Sequence, residues 1–312
     1  MVIIARLRPL AKLLPAGLLA VLALSTCAGS PKNVELAREY YNLGNAYLQL
    51  KDYERAIGWF RKSIALDPSQ RRTYYNLALA LTETGQAAEA VKELERIAAQ
   101  DPENRDMLEA LAYAYHAQSM DDKAIEVYRR ILDSSPENSG ARFNLAILLW
   151  SQGAREEALG QLQGLLEQKP DDLQALYQEA RLQAELGRDG EAAEATERYL
   201  QQRPEDVTAY LLLGDLYRKL ERYDRALEAY DNALAQDGKQ AKAWFFSAVI
   251  YLSKIEDPER GLTALEQALE FGYQDKGEIK ALYDSPDLQE KEKVRALLAG
   301  KGLLPVGASP KL

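Results

Sequence analysis

The sequence predicts an all-α repeat array, and three observations carry that expectation. Five prolines, Pro68, Pro102, Pro136, Pro170 and Pro204, stand 34 residues apart, and one further step reaches Gly238. Ala, Leu, Glu, Gln, Arg and Lys dominate the 312-residue chain and β-branched residues are few, a composition that favours helices. Small residues recur at fixed places within each period. An array grows by stacking neighbours, so this length does not imply two ordinary globular domains.

The first period, Ala37–Gln70, reads AREYYNLGNAYLQLKDYERAIGWFRKSIALDPSQ. At Tyr40, Leu43, Gly44, Tyr47, Ala56, Phe60, Ser63 and Pro68 it resembles the tetratricopeptide repeat (TPR), a helix–turn–helix unit. The resemblance implies a right-handed superhelical solenoid of about seven units. Their expected bounds are 37–70, 71–104, 105–138, 139–172, 173–206, 207–240 and 241–274, followed by capping helices over 275–300 and a tail at 301–312. In the first repeat, helix A is expected to end near Leu50 and helix B to begin near Tyr53. Gly44 and Ala56 fall where the two helices cross. A larger residue there would overpack, at about 1–3 kcal/mol.

Repeats two to four keep the pattern at Leu77, Ala78, Ala90 and Leu94, then Leu111, Ala112, Ala124 and Tyr128, then Leu145, Ala146, Ala158 and Leu162. Gly85 and Gly153 sit at the A–B turns, where a left-handed residue is expected. The fifth repeat is the most degenerate. Glu179, Gln183 and Thr196 occupy positions that are apolar elsewhere, so looser packing is expected. The sixth returns to pattern at Tyr210, Leu213, Gly214, Tyr217, Ala226 and Tyr230. The seventh carries one extra residue in its turn and resumes one place late at Gly261, Leu265 and Ala268. A short helix is expected over Asp275–Tyr283. Ser285-Pro286-Asp287 then predicts the start of a final helix, with Leu288, Val294, Leu297 and Leu298 on one face and Gly300 at its end.

Residues 1–26 read as a leader. Arg6, Arg8 and Lys12 precede the apolar run Leu13–Leu24, which falls short of the ~20 residues that span a bilayer. Leu24-Ser25-Thr26-Cys27 resembles a lipobox, with Thr26 where Gly, Ala or Ser is usual. That resemblance implies cleavage before Cys27, acylation of its thiol, and a short tether over 27–36. It implies a bacterial lipoprotein of the cell envelope, facing the periplasm. Ala28 rather than aspartate follows the cysteine, which favours the outer membrane over the inner.

Several function classes are excluded by what the chain lacks. The net charge of −9 opposes nucleic-acid binding, which needs a basic stripe. His116 is the only histidine and Cys27 the only cysteine, so a catalytic triad, a His-based acid–base pair or a His/Cys zinc site has no partners. Glycines fall singly, without a phosphate-binding loop. The pairs Asp121-Asp122 and Asp171-Asp172 lie in expected turns. No enzymatic activity, cofactor or metal is expected.

The resemblance assigns the concave surface to the A helices, where positions 2, 5, 9 and 12 of each repeat share one face. Position 5 runs Tyr41, Tyr75, Glu109, Phe143, Tyr177, Leu211 and Phe245; five of these seven are aromatic in a chain that is 8% aromatic. Position 6 contributes Asn42, Asn76 and Asn144; position 9, Asn45, Leu79, Tyr113 and Ile147; position 12, His116 and Trp150. Rings give contact area at low entropic cost, and an amide can bond both groups of an extended backbone. The expected ligand is therefore a protein or peptide segment. The TPR subtype that clamps a C-terminal carboxylate is matched here only at Asn45 and Asn76, and Asp106 has the wrong sign for it. The implied role is a lipid-anchored, non-enzymatic adaptor. The alternative is an accessory ligand-binding component of a transport or polysaccharide-export system.

Overall fold

The computed structural model describes residues 31–99 and 102–304, and Cys27, the leader and the last eight residues lie outside them. Sixteen helices and no strand occur among the described residues. In chain order they are α1 (Pro31–Gln49), α2 (Tyr53–Leu66), α3 (Arg71–Glu83), α4 (Ala87–Ala98), α5 (Arg105–Ala117), α6 (Asp121–Ser134), α7 (Ser139–Ser151) and α8 (Arg155–Gln168). They continue as α9 (Leu173–Glu185), α10 (Asp189–Gln202), α11 (Val207–Lys219), α12 (Tyr223–Gln236), α13 (Ala241–Ser253), α14 (Pro258–Glu270), α15 (Lys276–Asp284) and α16 (Lys291–Gly300). The chain forms two compact units, Met1–Leu148 and Leu149–Leu312. In the first, α1 packs on α2, α2 on α3, and α3 on α5. In the second, each helix from α8 to α13 packs on the next, and α14 packs on α16.

The helices alternate as A and B helices, and the periodic residues explain where each begins. Asn104, Asn138, Asp172 and Asp206 stand 34 residues apart, and each accepts a hydrogen bond from a backbone N–H three residues on. These side chains satisfy donors that the first helical turn leaves open. Each A–B turn needs one residue in the left-handed region. It is Lys51, Gly85, Ser119, Gly153, Gly187 and Glu221 in turn, then Glu256, one place late because of the extra residue in repeat seven. Three of these are glycines without strain, whereas an L side chain there costs about 1 kcal/mol or more. Replacing Lys51, Ser119 or Glu221 with glycine should therefore raise stability by about 0.5–1 kcal/mol each, read as a higher urea midpoint at constant slope.

The close approach of A to B is built on glycine facing a ring. A Cβ on Gly44 would lie 2.4 Å from Phe60 Cε1, and one on Gly214 would lie 2.4 Å from Tyr230 Cε1. Both rings are fully buried. Ser63 of α2 closes the first pair by donating to the Ala37 carbonyl at 2.8 Å.

The fifth repeat is not loose. Glu179, Gln183 and Thr196 are all buried, beside Ala180, Leu182 and Ala192, which are fully buried. Thr196 turns its hydroxyl onto the Ala192 carbonyl at 2.7 Å, which removes the cost of burying it. Burial pushes the Glu179 carboxyl above the usual carboxylate range, against the opposing pull of Arg198 and of a hydrogen bond from Gln163. Gln183 Oε1 is buried without a partner. Polar atoms thus replace apolar ones inside an intact packing frame.

Two expected boundaries move. α1 is already helical from Pro31, so residues 31–36 are helix rather than tether. The final helix begins at Lys291 instead of after Ser285. Glu290 adopts φ 52°, and the Gln289 N–H donates to the Leu252 carbonyl at 3.0 Å, which breaks the helical ladder ahead of Lys291. The short helix α15 is capped by Asp275, which accepts from Gly277 N and Glu278 N. Val294 and Leu298 of α16 are fully buried and share one core with Leu265 and Leu269 of α14.

Candidate functional site

The first compact unit carries an open cleft of about 450 Å³ lined by Tyr41, Arg72, Tyr75, Asn76, Asp106 and Glu109. These residues come from α1, α3 and α5, the A helices of the first three repeats. Positions 2, 5 and 6 of successive repeats converge because the A helices present the same face at each step.

Tyr41 is half-buried, with its ring 6.2 Å from Phe60. Tyr75 is 43% exposed, which is unusual for so large an apolar surface and leaves it free for a ligand. Its ring lies 5.7 Å from that of Tyr113, so Tyr113 supports the cleft from behind. Burial is the main cause holding the Tyr113 phenol above its usual range, followed by Tyr75 and Glu83. Asn76 Nδ2 donates to Asn45 Oδ1 at 2.6 Å. The two amides form a rung between α1 and α3. Asn76 keeps its carbonyl and one N–H for a ligand. Glu109 accepts from Asn138 Nδ2 at 2.6 Å, which fixes the carboxylate at the cleft wall.

Three of the expected groove residues, Tyr41, Tyr75 and Asn76, thus line one cleft, and Asn45 and Tyr113 touch it through direct partners. Asn42 and Asn144 are exposed, and Leu79, Phe143 and Ile147 are half-buried; none of these five lines the cleft. Asn144 instead bonds the hydroxyl of Tyr128, whose phenol burial raises well above its ordinary range. Arg72 went unremarked among the expected site residues, although it occupies position 2 of its repeat, on the same helical face as Tyr75.

Trp150, Tyr177 and Phe245 lie in the second unit. Trp150 donates from Nε1 to Glu185 Oε2 at 2.9 Å, and Arg181 sits over its ring at 5.1 Å. Tyr177 packs on Tyr199 at 5.2 Å between ring centres. Phe245 corrects the expectation of a groove residue, since it is fully buried and stacked 4.0 Å from Tyr273. The segment entering α15 carries Tyr273 across the position that an open repeat would expose. His116 is exposed and pairs with Asp121 across the A–B turn, Nδ1 to Oδ1 at 2.7 Å.

Among the described residues no group of three or more His, Cys, Asp or Glu gathers as a metal site would require. No described helix is long and apolar enough to cross a membrane.

Tetratricopeptide repeat models match residues 37–70, 75–139, 116–186, 174–206 and 211–275. The chain belongs to the tetratricopeptide repeat family, whose fold serves as a protein-binding scaffold. Among curated proteins none matches. Of solved structures, a TPR protein from Parabacteroides merdae ATCC 43184 is 18% identical with a TM-score of 0.50, over 83% of this chain and 99% of that one. YrrB, described as a TPR protein with an unusual peptide-binding site, is 22% identical with a TM-score of 0.50, over 59% of this chain and 95% of that one. Both likenesses show the fold.

Proposed function

We propose that this protein is a lipid-anchored adaptor of the bacterial cell envelope and that its N-terminal cleft holds an extended segment of a partner protein. The cleft carries the reading. It sets an exposed ring and an amide with unused bonding capacity on α3, a second ring on α1, and lines the same cleft with Arg72, Asp106 and Glu109. An extended backbone offers N–H and C=O groups in alternation, and a wall holding both carboxylates and an amide–guanidinium pair answers both. The rings supply the apolar contact that makes such bonds worth forming. YrrB, a TPR protein described as having an unusual peptide-binding site, is a precedent for a peptide site on this fold.

Anchoring rests on Cys27 and the apolar run before it. Acyl chains on the mature N-terminus would hold the array on the periplasmic face of the outer membrane, each buried CH₂ contributing about 0.8 kcal/mol. Cys27→Ser should move the protein from the membrane fraction to the soluble or leader-retaining form, with loss of labelling by a clickable fatty acid. Labelling that persists in Cys27→Ser, or a wild-type protein that takes up no label, contradicts the anchor.

A further inference from the structure

Cations over tyrosine rings recur along this chain. Arg55 lies 4.8 Å from the Tyr47 ring centre, Lys123 5.1 Å from that of Tyr115, Arg225 5.4 Å from that of Tyr217 and Arg260 5.5 Å from that of Tyr251. In each of these pairs the ring stands in the last turn of an A helix and the cation in the first turn of the B helix that follows. A ring face attracts positive charge within about 6 Å. Tyr75, in the N-terminal cleft, differs from them. Its ring is 43% exposed, its aromatic neighbour is Tyr113 at 5.7 Å, and no cation of the described residues lies over it.

Beside that ring stands a carboxylate with its charge unanswered. Glu109 and Tyr113 are four residues apart on α5 and share a face, which sets Glu109 next to the Tyr75–Tyr113 pair. Burial above all raises the Tyr128 phenol, and Tyr75, Glu109 and Tyr113 each add to that rise, so the three gather round one point. Asn138 caps α7 by accepting from Ala141 N, and its Nδ2 donates to Glu109 Oε1 at 2.6 Å. That bond fixes the carboxylate without neutralising it. Glu109 has no ion pair among the described residues. Arg72 lines the same cleft, is exposed, and makes no ion pair or ring contact among the described residues.

We propose, resting on the reading of this cleft as a peptide site, that the bound segment inserts one lysine or arginine between the Tyr75 ring and the Glu109 carboxylate. The ring face takes the flank of the cationic head, and Glu109 Oε2 accepts from its N–H. The pairing answers a charge on each side, so neither is left desolvated and alone. Arg72 repels a basic residue from the α3 side and so directs it toward α5. An acidic residue in the same place would meet Glu109 and Asp106, both of like charge.

The test selects random peptides displayed on phage against the full chain, immobilised in detergent, with circular dichroism as the folding control for each variant. Peptides retained by the wild type and lost from Tyr75→Ala should share a lysine or arginine at one register. In a synthetic peptide of that consensus, norleucine at the register should weaken binding roughly tenfold. Glu109→Gln keeps the acceptor for Asn138 and removes the charge, and it should weaken the same peptide by a similar factor. Glu109→Lys should instead select aspartate or glutamate at that register. Peptides that depend on Tyr75 but carry no basic residue, or an unchanged selection on Glu109→Lys, overturn this inference and leave the peptide site standing. A library from which nothing is retained, or equal retention by Tyr75→Ala, overturns both.

Discussion

Replacing Tyr41 and Tyr75 together with alanine should remove the proposed partner binding while the helices remain. Each ring lines the cleft, and aromatic anchors of an interface commonly cost about 2 kcal/mol or more when truncated. Loss of both should weaken binding by about 4 kcal/mol, on the order of a thousandfold. Tyr75 is the cleaner of the two, because its ring is the more exposed and its ring contact is with Tyr113 rather than with the buried core. Tyr41 also packs beside Phe60, so part of its effect is on the first repeat's packing. Asn76→Ala should add a smaller loss of about 1 kcal/mol, since it removes ligand bonds and breaks the rung to Asn45. The measurement is calorimetric titration of the partner segment into each variant, with circular dichroism as the folding control. Binding of the double variant at wild-type strength would remove the cleft from the account.

Tyr230→Ala should be the most damaging single change to stability, at about 3–5 kcal/mol. The side chain is fully buried, its hydroxyl donates to Asp215 Oδ1 at 2.8 Å, and its ring fills the space that Gly214 leaves open. Gly214→Ala alone should cost about 1–3 kcal/mol, because the new Cβ meets that ring well inside contact distance. In the Tyr230→Ala background the same Gly214→Ala change should cost far less, since nothing remains to collide with. The two substitutions therefore couple, and a double-mutant cycle measured by urea unfolding reads that coupling directly. Additive effects would show that the glycine serves some purpose other than admitting the ring. Tyr230→Phe separates packing from hydrogen bonding. It should cost about 1 kcal/mol, as Asp215 retains its ion pair with Lys242.

Much of the fold was legible because a repeat repeats its physics. The single period of 34 residues carries the crossing glycine or alanine, the left-handed turn residue and the helix cap, and one repeat read correctly places the others. Helix B of the first repeat begins at Tyr53, as its spacing predicts. What the pattern could not give lies where a repeat's neighbours differ from the average. Phe245 shares position 5 with Tyr75, yet the segment after repeat seven lays Tyr273 over it. Leu43 shares position 7 with Leu77, yet it is exposed where Leu77 is buried. The Asn45–Asn76 rung joins residues in different repeats, and side-chain pairing of that kind leaves no mark in a one-repeat template. Ser285-Pro286 has the chemistry of a helix start, but a tertiary bond from Gln289 to Leu252 wins over it. For the site, composition of the rows named the face and Asp106 was already placed on it, while Arg72 emerged only when the helices were set side by side.

The most direct test places a photo-crosslinking amino acid at Tyr75 in living cells, with the same probe at Glu93 on α4, outside the cleft, as control. The account predicts one protein segment joined to position 75, mapped by mass spectrometry, absent from the Glu93 control and lost when Tyr41→Ala and Asn76→Ala are added. Equal products from both positions, or a glycan or small metabolite in place of a peptide at position 75, would contradict it.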